Sequence, residues 1–194
     1  MYRVIGTAKS RAFRVMWMLE ELGQPYEVEP ALPQTDDIRR YNPLGKIPAL
    51  VDGDAVLTDS VAIMTYLADK HSGMTAPAGT PERARQDAMT LWLVDEMDAL
   101  LWTAAKHSFV LPEKLRVPEV KPTVKAEFAR NADRLAGMLR GDFLMGDVPS
   151  LPDILASHCL GWSLVAKFDP LPDSIKPYTK RLRERDAYKA AAAR

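Results

Sequence analysis

The chain is short of several things, and each absence excludes something. Its 194 residues include one cysteine, Cys159. A single thiol rules out an intrachain disulfide and any Cys-x-x-Cys redox or metal motif. Net charge is missing too: 26 Lys and Arg balance 26 Asp and Glu. That argues against a broad phosphate-neutralising face, and so against nucleic acid as partner. No window of 18 uncharged apolar residues occurs, so no membrane span is expected. The start, Met1-Tyr2-Arg3-Val4-Ile5-Gly6, runs into Lys9 and Arg11 without an apolar core and cleavage site, and does not read as a signal peptide. His71, His107 and His158 have no Gly-x-Ser-x-Gly partner, which removes a familiar serine-hydrolase pattern. The expectation is a cytoplasmic, reduced protein with no metal site.

What is present divides near residues 72–81, where two Gly and two Pro interrupt any apolar periodicity. The predicted domains are 1–74 and 83–194, joined by a linker over 75–82. In the first, Tyr2 to Ile5 and Tyr26 to Glu29 carry strand alternation. Between them Ala12, Val15, Leu19 and Leu22 recur at helical spacing, stopped by Gly23. Ile47 to Val51 and Ala55 to Leu57 flank Asp52-Gly53-Asp54, a hairpin signal. A helix opening at Asp59 follows. The order β-α-β-(α or loop)-β-β-α fits a small mixed sheet with helices on its faces. The second domain reads as all helical. One helix is predicted over 82–109, and a second carries the stripe Val124, Phe128, Leu135 and Leu139. A third is opened by the capping box Ser150-Leu151-Pro152-Asp153, and the tail from Pro177 forms one or two more.

Three segments of the first domain can carry chemistry. Asn42-Pro43-Leu44-Gly45-Lys46-Ile47-Pro48 is a demanding turn running into a strand. A cis Ile47–Pro48 bond there would leave the Ile47 N–H and C=O free for an extended ligand, while a plain tight turn needs no ligand. Asp59-Ser60 at a helix start can take an amino-acid head group, the carboxylate receiving an ammonium and the serine a carboxylate. An ordinary N-cap uses the same residues. Thr7-Ala8-Lys9-Ser10-Arg11 offers hydroxyls and backbone N–H groups to an anion, or a cap to the helix that follows. The basic tail, Lys176 to Arg194, reads as a solvated helix face.

Together these segments resemble the cytosolic glutathione transferases over essentially the whole chain. Asn42-Pro43-Leu44-Gly45-Lys46-Ile47-Pro48-Ala49-Leu50, followed by Asp59-Ser60-Val61-Ala62-Ile63, is similar to that family's most specific signature. Leu19 to Glu27, the Ser150–Asp153 box and Arg185-Asp186-Ala187-Tyr188 match as well. The resemblance implies a thioredoxin-like N-terminal domain, an all-helical C-terminal domain and a homodimer. It implies glutathione as co-substrate without a further cofactor, a small hydrophobic electrophile as second substrate, and a role in detoxification. Carried over by residue, Ile47 beside Pro48 would pair with the cysteinyl unit, and Asp59 and Ser60 would hold the γ-glutamyl end. Lys46 would lie near a glutathione carboxylate, and Ser10 would stabilise the thiolate. The family's usual serine column falls on Lys9, which leaves Lys9, Thr7 and Arg11 as alternatives to Ser10. Trp102, His107 and Phe109 would line the second-substrate pocket. A non-catalytic binding module of the same fold is the other reading.

Overall fold

A computed structural model describes residues 1–194. The alternating β-branched stretch forms β1 (Tyr2–Ile5), and Tyr26–Glu29 forms β2. Between them lies α1 (Ala12–Glu21). A single short helical turn, α2 (Asp36–Arg39), fills the segment that the sequence left open between helix and loop. The hairpin follows as β3 (Ala49–Asp52) and β4 (Ala55–Leu57), and then α3 (Ser60–His71). The strand order is β2-β1-β3-β4. β1 and β2 are parallel, as a helical crossover requires, and the other two pairings are antiparallel. This is the thioredoxin-like mixed sheet. Pairing of Val4 with Leu50 and Ile5 with Ala49 puts each couple on one face. Ile5 and Ala49 meet Ile38 of α2 and Ala31, and Val4 and Leu50 are fully buried on the opposite face.

By internal contacts the chain forms two units, Met1–Arg83 with Arg183–Arg194, and Ala84–Leu182. The tail, expected to belong to the helical domain, therefore packs with the sheet unit. Its helix α9 (Asp186–Ala192) lies on α1. The Tyr188 ring stands edge-on to Phe13 at 5.2 Å and to Trp17 at 4.9 Å. Arg185 grips Glu21 with two bonds of 2.6 and 2.7 Å, and Trp17 Nε1 donates to the same carboxylate at 2.9 Å. Packed against β1, α3 and α9, α1 is buried on all sides from Ala12 to Leu19. Spacing cannot reveal such a contact, because it joins residues over 160 positions apart. At the end of the same unit, the Arg83 guanidinium binds both oxygens of Asp69 at 2.6 and 3.0 Å and the Ala76 carbonyl at 3.3 Å, fixing the Gly- and Pro-rich stretch.

The second unit is all helical. The helix predicted over 82–109 exists as a continuous run from Pro81 to Val110. It is not uniformly α: α4 (Pro81–Leu93) and α5 (Ala99–Ala105) alternate with π-helical stretches at Val94–Asp98 and Lys106–Val110. The wider turn frees a carbonyl for an outside donor. Fully buried Asn131, on α6 (Val120–Gly137), donates 2.8 Å to the Glu96 C=O and 2.9 Å to its carboxylate. Leu139, predicted to share the α6 stripe, lies beyond that helix. α7 (Leu151–Val165) opens with Ser150 and Asp153 as expected, and α8 (Lys176–Arg183) brings Tyr178 onto Asp153. No helix is long and apolar enough to cross a membrane.

Candidate functional site

The turn before β3 is held by its own side chains. Asn42 is buried; its Oδ1 accepts from the Leu44 N–H at 3.1 Å and its Nδ2 donates to the Lys46 C=O at 2.9 Å. Gly45 has φ +65°, and a Cβ there would lie 2.8–3.0 Å from the Gln34 amide. That amide donates to the Leu44 C=O at 3.0 Å, and the Gln34 N–H donates to the Gly45 C=O at 2.8 Å. Glycine is thus required twice over, by backbone and by space. The Ile47–Pro48 peptide bond is cis. Pro48 is buried, Ile47 half-buried and Lys46 exposed. No hydrogen bond within the chain engages the Ile47 N–H or C=O.

The turn meets the β1–α1 loop at Gly6. A Cβ added there would lie 2.8 Å from Ala12 Cβ and 3.5 Å from Ile47 Cβ. Segment 7–11 therefore starts beside Ile47, as the thiol assignment needs. The Ser10 hydroxyl, however, is committed. It donates to the Thr7 C=O at 2.7 Å and accepts from the Ala12 N–H at 3.1 Å. The capping alternative for Ser10 is thus realised in this conformation. Lys9 is exposed, while Thr7 and Arg11 are half-buried. No side-chain hydrogen bond within the chain uses the Thr7 hydroxyl.

At the head of α3, Asp59 is exposed and accepts from the Val61 N–H at 2.7 Å. One of its oxygens caps the helix, and the other faces solvent with its lone pairs unspent. Ser60 is only 2% exposed, and its Oγ accepts from Arg14 Nη1 at 3.3 Å. The Ser60 oxygen is thus met from inside by Arg14, its own proton is not used by that bond, and the backbone N–H groups at the helix start are further donors for a ligand. Arg14 was not among the candidates. Its signal in the sequence is a lone charge inside the run Ala12-Phe13-Arg14-Val15-Met16-Trp17-Met18-Leu19, all of it buried.

In the helical unit, Trp102 and His107 are half-buried and Phe109 is 70% exposed. His107 Nδ1 accepts from the Val117 N–H at 3.0 Å, and Arg116 donates to the Leu111 C=O at 2.8 Å and the Phe109 C=O at 3.3 Å. The segment after α5 is thereby folded back on its second π-turn. Met16, Met18 and Met64 are fully buried, in keeping with core packing.

The family model of the glutathione S-transferase N-terminal domain matches residues 8–75. Glutathione S-transferase 3 of maize is 31% identical over 185 residues, covering 86% of this chain and 80% of its own. A wheat glutathione S-transferase is 51% identical over 63 residues, 32% of this chain and 30% of the wheat protein. Among solved structures, a glutathione transferase from Methylococcus capsulatus is 28% identical with a TM-score of 0.85, over 100% of this chain and 98% of that one.

Proposed function

The chain belongs to the glutathione transferase family, and from that premise we propose that it activates the thiol of bound glutathione for attack on an electrophilic, peroxide or disulfide substrate. One observation carries the reading: the turn leaves the Ile47 backbone pair unengaged, while the head of α3 presents an open Asp59 carboxylate. The extended tripeptide pairs with Ile47 through its cysteinyl unit, and its γ-glutamyl ammonium meets Asp59. Its α-carboxylate takes the N–H groups at Ser60, and Lys46 faces the glycyl carboxylate. On the helical unit, Trp102, His107 and Phe109 contact the hydrophobic electrophile.

The energetics are modest. A free thiol has a pKa of about 8.5. Lowering it to about 6.5 takes roughly 2.7 kcal/mol of preferential thiolate stabilisation. One hydroxyl donating to a charged acceptor supplies about 1.5–3 kcal/mol, and a helix N-terminus adds about 0.3–1 kcal/mol. Ser10 at the start of α1 is the leading donor. To act, its proton must leave the Thr7 carbonyl, which keeps the Ser10 N–H at 3.0 Å as a second donor. The commitment of Ser10 favours a second reading, in which the Thr7 hydroxyl donates instead.

Thiolate absorbance of bound glutathione, followed against pH in the parent, Ser10→Ala and Thr7→Ala, separates the two. The parent midpoint is expected well below that of free glutathione, and loss of the activating hydroxyl returns it upward by about two pH units, the shift costed above. A parent midpoint equal to that of free glutathione overturns the activation. We further read the protein as a cytoplasmic detoxification enzyme and a homodimer, on family membership alone; light scattering checks the dimer. The transferase names of the relatives do not favour a non-catalytic module.

A further inference from the structure

A charge held inside a helix that is buried on all sides needs a reason. Arg14 is 2% exposed, and among its partners is the Ser60 hydroxyl, 46 positions away, at 3.3 Å. Arg14 stands one turn into α1, whose preceding loop carries Ser10 and Thr7. Ser60 is the first residue of α3, next to Asp59. Both helices start at the ligand site, and this contact ties one start to the other from behind.

We propose that Arg14 is a positioning residue for glutathione: through the Ser60 hydroxyl it fixes the head of α3 so that Asp59 and the first backbone N–H groups hold the γ-glutamyl end. The inference rests on the glutathione reading above. Three physical points support it. A buried guanidinium presents donors in a fixed planar fork, so it sets the place of its acceptor as a flexible ammonium does not. The Ser60 oxygen, accepting from Arg14, is drawn toward the interior and away from the local backbone N–H groups for which serine otherwise competes at a helix start. The positive charge lies behind the positive end of the α3 dipole, where it favours an anionic ligand group without touching it.

Binding of glutathione by titration calorimetry tests this on the parent, Arg14→Lys, Ser60→Ala and the double variant, with Asp59→Ala as control. The single variants are each expected to weaken binding about tenfold, and the double variant no more than either, because both remove one contact. Steady-state rates should show KM for glutathione rising while kcat at saturating glutathione holds, a split that general loosening of the fold would not produce. Multiplying effects in the double variant overturn the inference. So does parent-like affinity in Ser60→Ala, which decides the matter even if Arg14→Lys fails to fold. If Asp59→Ala loses binding while Arg14→Lys and Ser60→Ala keep it, the glutathione reading stands and the role of Arg14 falls. A parent that does not bind glutathione removes both.

Discussion

Two helix heads in this molecule use the same residue types to opposite ends. α3 opens with Asp59 and Ser60, α7 with Ser150 and Asp153. At α7 the acid is fully buried and its oxygens are spent. Oδ1 accepts from the Leu144 N–H at 2.9 Å and the Tyr178 hydroxyl at 2.8 Å, and Oδ2 from the Ser150 N–H at 2.8 Å and its hydroxyl at 3.0 Å. Burial pushes the Asp153 carboxyl up, against the pull of those four donors, and burial, with the adjacent Asp153 carboxylate, pushes the Tyr178 hydroxyl up. At α3 the acid is exposed and spends one bond on the helix, while the serine is the buried partner. An acid-and-hydroxyl helix head is structural when its acceptors are filled from within, and is open to a ligand when they are not.

The largest expected effect breaks the closed head. Asp153→Ala leaves the Leu144 N–H, the Ser150 N–H and the Tyr178 hydroxyl buried without that acceptor. At about 1–3 kcal/mol for each orphaned group the loss is at least about 3 kcal/mol. For a chain of this size that lowers Tm by about 6–12 °C, readable by calorimetry. Asp59→Ala, at the open head, should behave the other way. It costs only the about 0.5–2 kcal/mol of an N-cap, yet loss of a charged hydrogen bond weakens glutathione binding about ten- to a hundredfold. If Asp59→Ala unfolds the protein, or keeps parent affinity, the two heads do not differ as described.

How far this was legible from sequence follows from the same pair. Both heads were readable as helix starts, because Ser, Asp and Pro at those spacings answer a local need for caps. β1, β2 and the hairpin were readable from alternation and from Asp52-Gly53-Asp54, and the strain at Gly45 from the proline- and glycine-rich turn around it. Which acid faces water was not readable, since exposure depends on what packs above: Tyr178 arrives from 25 positions away and Arg14 reaches Ser60 across 46. The commitment of Ser10 was hidden for a different reason, since a hydroxyl chooses its acceptor by sub-ångström geometry. The first π-turn is met by Asn131 of another helix, and the seat of the tail depends on Glu21.

A third acid, on the sheet unit, lies between the two extremes and gives the smallest expected effect. The side chain of Asp52, at the hairpin, is 23% exposed, and it accepts from the Tyr66 hydroxyl at 2.6 Å and from Lys70. Those two donors, Lys70 first, hold its carboxyl below the usual range, and Asp52 in turn holds the Lys70 ammonium above its own. The sign follows from proton counting. A carboxyl whose folded pKa is depressed binds fewer protons folded than unfolded, so its contribution is present above the ordinary Asp value, about 3.9, and is lost as pH falls through the lower folded value. Asp153, raised by burial, slopes the other way: its contribution is fullest at low pH and declines as pH rises through the folded value. Thermal melts of the parent and Asp52→Asn between about pH 2 and pH 6 should therefore be furthest apart near pH 6 and converge on the acid side, the parent losing stability more steeply. Added salt should shrink the gap, because a half-exposed pair is screened where a buried carboxyl is not. Parallel melting curves for parent and variant would mean that Asp52 is as open as Asp59, and the gradation from receptor to strut would reduce to two separate cases.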